Sequence, residues 1–157
     1  MIILGIDPGT ATTGFGVIRK LKNSIEYIAC GCIRTSSKLS DEKRLSIINQ
    51  EFRKLIKQYK PNQVAVEKLF FGDNAKTAMV VGQARGVILL GAADSNLPLA
   101  EYTPLQVKIA ITGYGRAVKS QIQQMVKVLL KLDKIPKPDD AADALAIAIC
   151  HAHTLRV

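Results

Sequence analysis

Three aspartates stand at the mouth of the last helical run, Pro136-Lys-Pro-Asp139-Asp140-Ala-Ala-Asp143-Ala-Leu-Ala-Ile-Ala. Asp139 and Asp140 follow a proline, where carboxylates can satisfy free helix N–H groups and complement the helix dipole. Asp143 has no such use. From Ala144 to Cys150 every residue is apolar, the pattern of a buried helix. An ionised carboxylate beside that surface is costly unless something pairs with it. The three-residue offset puts Asp140 and Asp143 on one helix face. Two more carboxylates share another setting: Asp7 and Glu67 each close a short, mostly apolar strand, IILGID and VAVE. In sheets with parallel strands, ligands gather beyond such strand ends. An aspartate before Pro-Gly is also a common turn residue, so Asp7 decides little alone. Glu67 is no turn former, and the three settings together weigh more than each one.

Acids gathered at one edge repel one another unless cations neutralise them. Hard oxygen donors select Mg²⁺ or Mn²⁺ over zinc. Two such ions held by carboxylates about 4 Å apart are a recurrent device for phosphodiester hydrolysis by an activated water. The rest of the chain is basic, with 22 Lys and Arg against 13 Asp and Glu, a net charge of +9 and a pI near 9.6. A cationic surface favours polyanions, chiefly nucleic acid. The carboxylates would hold magnesium, and the basic surface the strand to be cut.

At 157 residues the chain is expected to form a single domain, 1–157, with a proper core. The N-terminus MIILGIDPG lacks the basic region of a signal peptide, and no apolar stretch is long enough to cross a bilayer. Cys30 and Cys32 share a strand face and read as buried, reduced thiols, while Cys150, His151 and His153 fall at the expected frayed end of the last helix. Three cysteines without metal-ligand spacing point to a reducing, cytoplasmic setting.

The elements that must position the acids follow from periodicity and punctuation. Strands are expected over 2–6, 13–20 and 25–35, the last two joined by a Lys22-Asn23-Ser24 turn. Ser40 opens a helix whose Leu45, Ile48, Phe52, Leu55 and Tyr59 make a core-facing stripe. A strand over 63–66 precedes a long helix from about Asn74 to Ala93, with Gly82 and Gly86 permitting close packing on the sheet or on a second subunit. A strand over 97–102 leads into a helix at Thr103-Pro104. Ser120 and Gln123 have the spacing of a capping box for the next helix. The order βββαβαβααα predicts an α/β fold: a mixed five-stranded sheet, its first three strands antiparallel, flanked by helices.

On these residues the chain resembles the RuvC family of Holliday-junction resolvases. The matching stretches are GIDPGTATTGFGVI, VAVEKLFF, GQARG at 82–86, VKSQIQQMVKVLLKL at 118–132 and DAADALAIAI. The resemblance implies an RNase-H-like fold and a homodimer that nicks two strands of a four-way DNA junction symmetrically, with Mg²⁺, in recombination and repair. It implies an acidic tetrad of Asp7, Glu67, Asp140 and Asp143, with Asp139 an extra cap or outer helper. It further implies Lys108 and Lys119 near the scissile phosphate and Phe70 stacking on a base at the crossover. Arg85 and Arg116 join them as expected DNA contacts, and the RuvA–RuvB branch-migration complex is an expected partner.

Other readings differ by particular residues. Asp7-Pro-Gly-Thr10 and the glycines after it look like the phosphate hairpin of sugar-kinase or actin-like ATPases, which need a second lobe. Gly113–Ser120 approaches a P-loop, but Val118 stands where the backbone cradle needs glycine, so it reads as a flexible basic loop. An RNA-cutting relative of the YqgF type would share the carboxylates but not the DAAD helix. A catalytically inactive junction-binding protein is disfavoured because every acidic position is filled.

Overall fold

The computed structural model describes residues 1–68 and 75–155, so Phe70 and Asn74 lie outside the described residues. The elements follow the expected order: β1 (Ile2–Asp7), β2 (Thr12–Lys20), β3 (Ile25–Arg34), α1 (Asp41–Tyr59), β4 (Gln63–Glu67), α2 (Ala75–Asp94), β5 (Leu99–Tyr102), α3 (Pro104–Thr112), α4 (Lys119–Leu129) and α5 (Asp139–Thr154). The sheet runs β3-β2-β1-β4-β5. The first three strands form an antiparallel meander, while β1–β4 and β4–β5 pair in parallel.

Alternation along the strands divides the core between two faces. Leu4, Ile6, Val64 and Val66 pack with Phe52 of α1 and Ile88 of α2. Ile3, Ala65 and Tyr102 pack with α5, α3 and α4. Residues 141–152 of α5 are all buried except Asp143. This helix lies on the sheet because the strands beneath it are stripped of side chains. A Cβ on Gly5 would strike the Ala144 carbonyl, one on Gly14 the Asp140 carbonyl, and one on Gly16 would come within 2.7 Å of the Leu145 nitrogen. The glycines that suggested a phosphate hairpin therefore seat a helix.

Other local expectations are met or moved. Thr103 and Gln106 form a reciprocal capping box before α3, with Pro104 leading the helix. Ser40 stands at the N-cap of α1, but its hydroxyl bonds the Glu42 carboxylate instead of a backbone N–H. The box expected at Ser120 is displaced, because α4 starts at Lys119 and its cap position is Val118. The Val118 N–H donates to Gln121 Oε1 at 2.9 Å, which leaves Gln123 turned inward and only 8% exposed.

His151 is not at a frayed end. It is buried, with Tyr102 Oη 2.7 Å from Nδ1 and Gln63 Oε1 2.5 Å from Nε2. The amide oxygen can only accept, so Nε2 carries the proton and the tyrosine donates to Nδ1. Burial lowers the imidazole pKa, and the neutral ring ties β4 and β5 to α5. Cys30 and Cys32 are half-buried rather than sealed, Cys150 is buried, and all three are free thiols. Among the described residues no helix is long and apolar enough to cross a membrane.

Candidate active site

Parallel pairing of β1 with β4 sets Ile6 against Val66, so the next residues along, Asp7 and Glu67, leave the same edge of the sheet. The first turns of α5 bring Asp143 to that edge. Asp7, Glu67 and Asp143 line one cavity of about 440 Å³, together with Lys108 of α3, Arg116 of the 113–118 loop and Lys119 of α4. Val107, Ile122, Ala146 and Ile147 supply its apolar lining. The loop is held by its own hydrogen bonds: Tyr114 exchanges two with Thr112 Oγ1, both at 3.1 Å, and the Ala117 N–H donates to the Tyr114 carbonyl. The stretch expected as a flexible basic loop thus contains a hydrogen-bonded turn.

Asp140 does not line this cavity. It sits three residues earlier on α5, its backbone against Gly14, yet its charge reaches Asp7. The four expected acids therefore form a threesome in the cavity with Asp140 at its margin.

The electrostatics are those of acids forced together. Burial, then the charges of Glu67, Asp143 and Asp140, push Asp7 up to about 8, with Lys119 opposing. Burial followed by Asp143 raises Glu67, again opposed by Lys119. Burial raises Asp143 too, against the hydrogen bond it accepts from Lys119. Lys119 Nζ lies 2.9 Å from Asp143 Oδ2 and 3.7 Å from Asp139 Oδ2, and the Asp143 hydrogen bond raises its pKa. Lys137 Nζ holds the other Asp139 oxygen at 2.9 Å.

Among the described residues no three His, Cys, Asp or Glu side chains are gathered closely enough to hold an ion as they stand. The chemistry of the cavity nevertheless fits a divalent cation. Its donors are carboxylates, no imidazole or thiol among the described residues lines it, and the mutual repulsion of the acids is relieved only by protons or positive charge. Lys119 already supplies one such charge at Asp143.

The four other expected contacts fall differently. Lys108 and Arg116 share the cavity with the acids. Arg85 does not: its guanidinium pairs with Glu101 of β5 and is largely buried. Phe70 lies outside the described residues. The residues missed from the sequence are the glycine seats under α5 and the Lys137–Asp139–Lys119 chain of charges. The first had a signal in the alternation of Gly14 and Gly16. The link from Asp139 to Lys119 had none, because the two residues lie on different helices far apart in the chain.

The family described as Crossover junction endodeoxyribonuclease RuvC matches residues 3–151. A RuvC of Natranaerobius thermophilus is 56% identical over 157 residues, covering all of this chain and 98% of that protein. One of Desulforamulus reducens is 59% identical over 152 residues, covering 97% of this chain and 93% of its own length. The structure of Thermus thermophilus RuvC in complex with Holliday junction substrate superposes with a TM-score of 0.91 at 35% identity, covering 97% of this chain and 93% of that one. The mixed sheet and its flanking helices are accordingly the RNase-H-like α/β fold. By motif, full-length similarity and architecture together, the chain belongs to the RuvC family of crossover junction endodeoxyribonucleases.

Proposed function

We infer that this chain is an endodeoxyribonuclease that resolves four-way DNA junctions by hydrolysing phosphodiester bonds in two opposing strands. The observation that carries this reading is one cavity in which Asp7, Glu67 and Asp143 face Lys108, Arg116 and Lys119, in a chain of this family. Acids alone would repel a phosphate and cations alone would only bind it; the combination can bind and cut. The proposed Mg²⁺, two ions per site with Mn²⁺ able to substitute, would be held by Asp7, Glu67 and Asp143 with Asp140 at the margin. When bound, it would supply activation of the attacking water and neutralise charge on the phosphate.

The chain's own groups do the rest. Lys108 and Arg116 draw the backbone into the cavity as phosphate contacts, which makes binding salt-sensitive. Lys119, at the first turn of α4, meets negative charge that grows on the phosphate in the transition state. The apolar walls keep bulk solvent away from the charged groups and strengthen these interactions, while leaving room for the attacking water.

Symmetric cutting calls for two sites, and a two-fold dimer offers them to equivalent strands. A pairing surface on α2 is supported by its exposed stripe of Met79, Gly86 and Leu90, the first and last 69% and 60% exposed. A Cβ on Gly86 would meet nothing within 4 Å, so the packing of this chain gives no reason for glycine there, whereas a second helix approaching closely would. In this reading residues 1–157 act as a single nuclease domain, in recombination and repair beside the RuvA–RuvB complex.

The test is a cleavage assay on a synthetic four-way junction, a linear duplex of the same sequence and an RNA–DNA hybrid, with and without Mg²⁺. Paired, Mg²⁺-dependent nicks in the junction alone are expected. Cutting of the hybrid in preference to the junction would move the protein to RNA processing, and junction binding without cutting would leave a binding-only protein.

A further inference from the structure

Lys119 pairs with Asp143 Oδ2, so a cation that takes this oxygen displaces the ammonium. Where it goes is indicated by the neighbouring charges. Asp139 Oδ2 lies 3.7 Å from Lys119 Nζ, while Asp143 Oδ2 lies at 2.9 Å. The two carboxylates are four residues apart on α5, one turn of the same helix face. Lys137 pins the other Asp139 oxygen at 2.9 Å, which fixes the carboxylate with Oδ2 facing Lys119. Asp139 itself does not line the cavity, so it is placed to receive the ammonium without ligating the cation.

We propose that Asp139 is a positioning residue for Lys119: it takes over the ammonium when a divalent cation claims Asp143, and holds it beside the cavity to meet the phosphate. The two states exchange one ion pair for another, so the cation displaces Lys119 without leaving the ammonium unpaired. Removing the Asp139 carboxylate would bind Lys119 more exclusively to Asp143 and set it in competition with the cation. The proposal rests on the metal-site reading above.

The test is a double-mutant cycle on the full chain without DNA, reading Mn²⁺ binding from the free-ion electron paramagnetic resonance signal. Asp139→Ala should weaken Mn²⁺ binding about two- to fivefold, the scale of an exposed ion-pair coupling, and Asp139→Glu should restore it. Lys119→Met should tighten binding, and in that background Asp139→Ala should have no further effect. Equal weakening in both backgrounds would make Asp139 a direct ligand or a plain source of charge and overturn the proposal. No weakening in either, with only a lowered melting temperature, would make it a helix cap and overturn it too. Absence of saturable Mn²⁺ binding by the unmodified chain would instead sink the metal-site reading on which the proposal stands.

Discussion

Replacing Asp7 with asparagine should make the cation-free protein more stable, and increasingly so as the pH rises. Burial and the neighbouring acids push this carboxyl from 3.8 up to about 8. In the unfolded chain it titrates near the ordinary aspartate value of about 3.9. Between those limits the native state keeps a proton that the unfolded state has released. Stability is therefore lost as pH climbs through the window, by about 1.4 kcal/mol per unit, and the loss levels off above the native pKa. Over the whole window the ceiling is about 6 kcal/mol, reduced by whatever water or side-chain movement relieves the strain. A third of that, about 2 kcal/mol, would still shift the melting temperature by about 4–8 °C in a chain of this size. Thermal denaturation of the unmodified chain and Asp7→Asn in chelator from pH 5 to 9 isolates the effect, since Glu67 and Asp143 titrate in both. The gap should open with pH in favour of Asp7→Asn, flatten above pH 8, and narrow or reverse when Mg²⁺ is added. A gap that stays constant from pH 5 to 9, or an unmodified chain that is the more stable at pH 8 without metal, would refute the reasoning.

Gly14→Ala should cost about 1–3 kcal/mol in urea denaturation and abolish cleavage, because the methyl group would force the Asp140 backbone, and α5 with it, off the sheet; unchanged stability would mean α5 is seated otherwise. Gly86→Ala should stabilise an isolated α2 by about 0.5–1 kcal/mol, while Gly86→Arg should shift sedimentation from dimer to monomer. A dimer undisturbed by arginine would place the interface elsewhere. For Lys119→Ala, single-turnover cleavage at saturating enzyme should fall about 10²–10³-fold with junction affinity changed far less; a proportionate loss of both would reduce Lys119 to a binding contact.

Much of this was written in local sequence. The period-two strands, the α1 stripe and the Thr103-Pro104 start are decided by neighbours within a few residues, and each formed where expected. Glu67 stood out because it closes an apolar strand and is no turn former, whereas Asp7, before Pro-Gly, gained weight only beside Glu67 and Asp143. Asp143 was visible because it interrupts an otherwise buried helix. What escaped depends on contacts far apart in the chain. Arg85 of α2 meets Glu101 of β5, and nothing near it in sequence announces the pair. His151 reaches Gln63, 88 residues away, so a buried tether looked like a helix end. The capping box of α4 failed for a different reason: Gln121 and Gln123 both offer an amide at nearly the right spacing, and only packing turns Gln123 inward.

The central claim is that the acids at this sheet edge perform the cutting rather than hold the fold. Asp7→Asn, Glu67→Gln and Asp143→Asn should be assayed together, each for junction binding by gel shift and for strand cleavage with Mg²⁺ on a junction labelled in every strand. All three variants are predicted to bind the junction as the unmodified chain does and to leave its strands intact. Cleavage that survives in any of them, or loss of binding and folding in all three, would contradict the account.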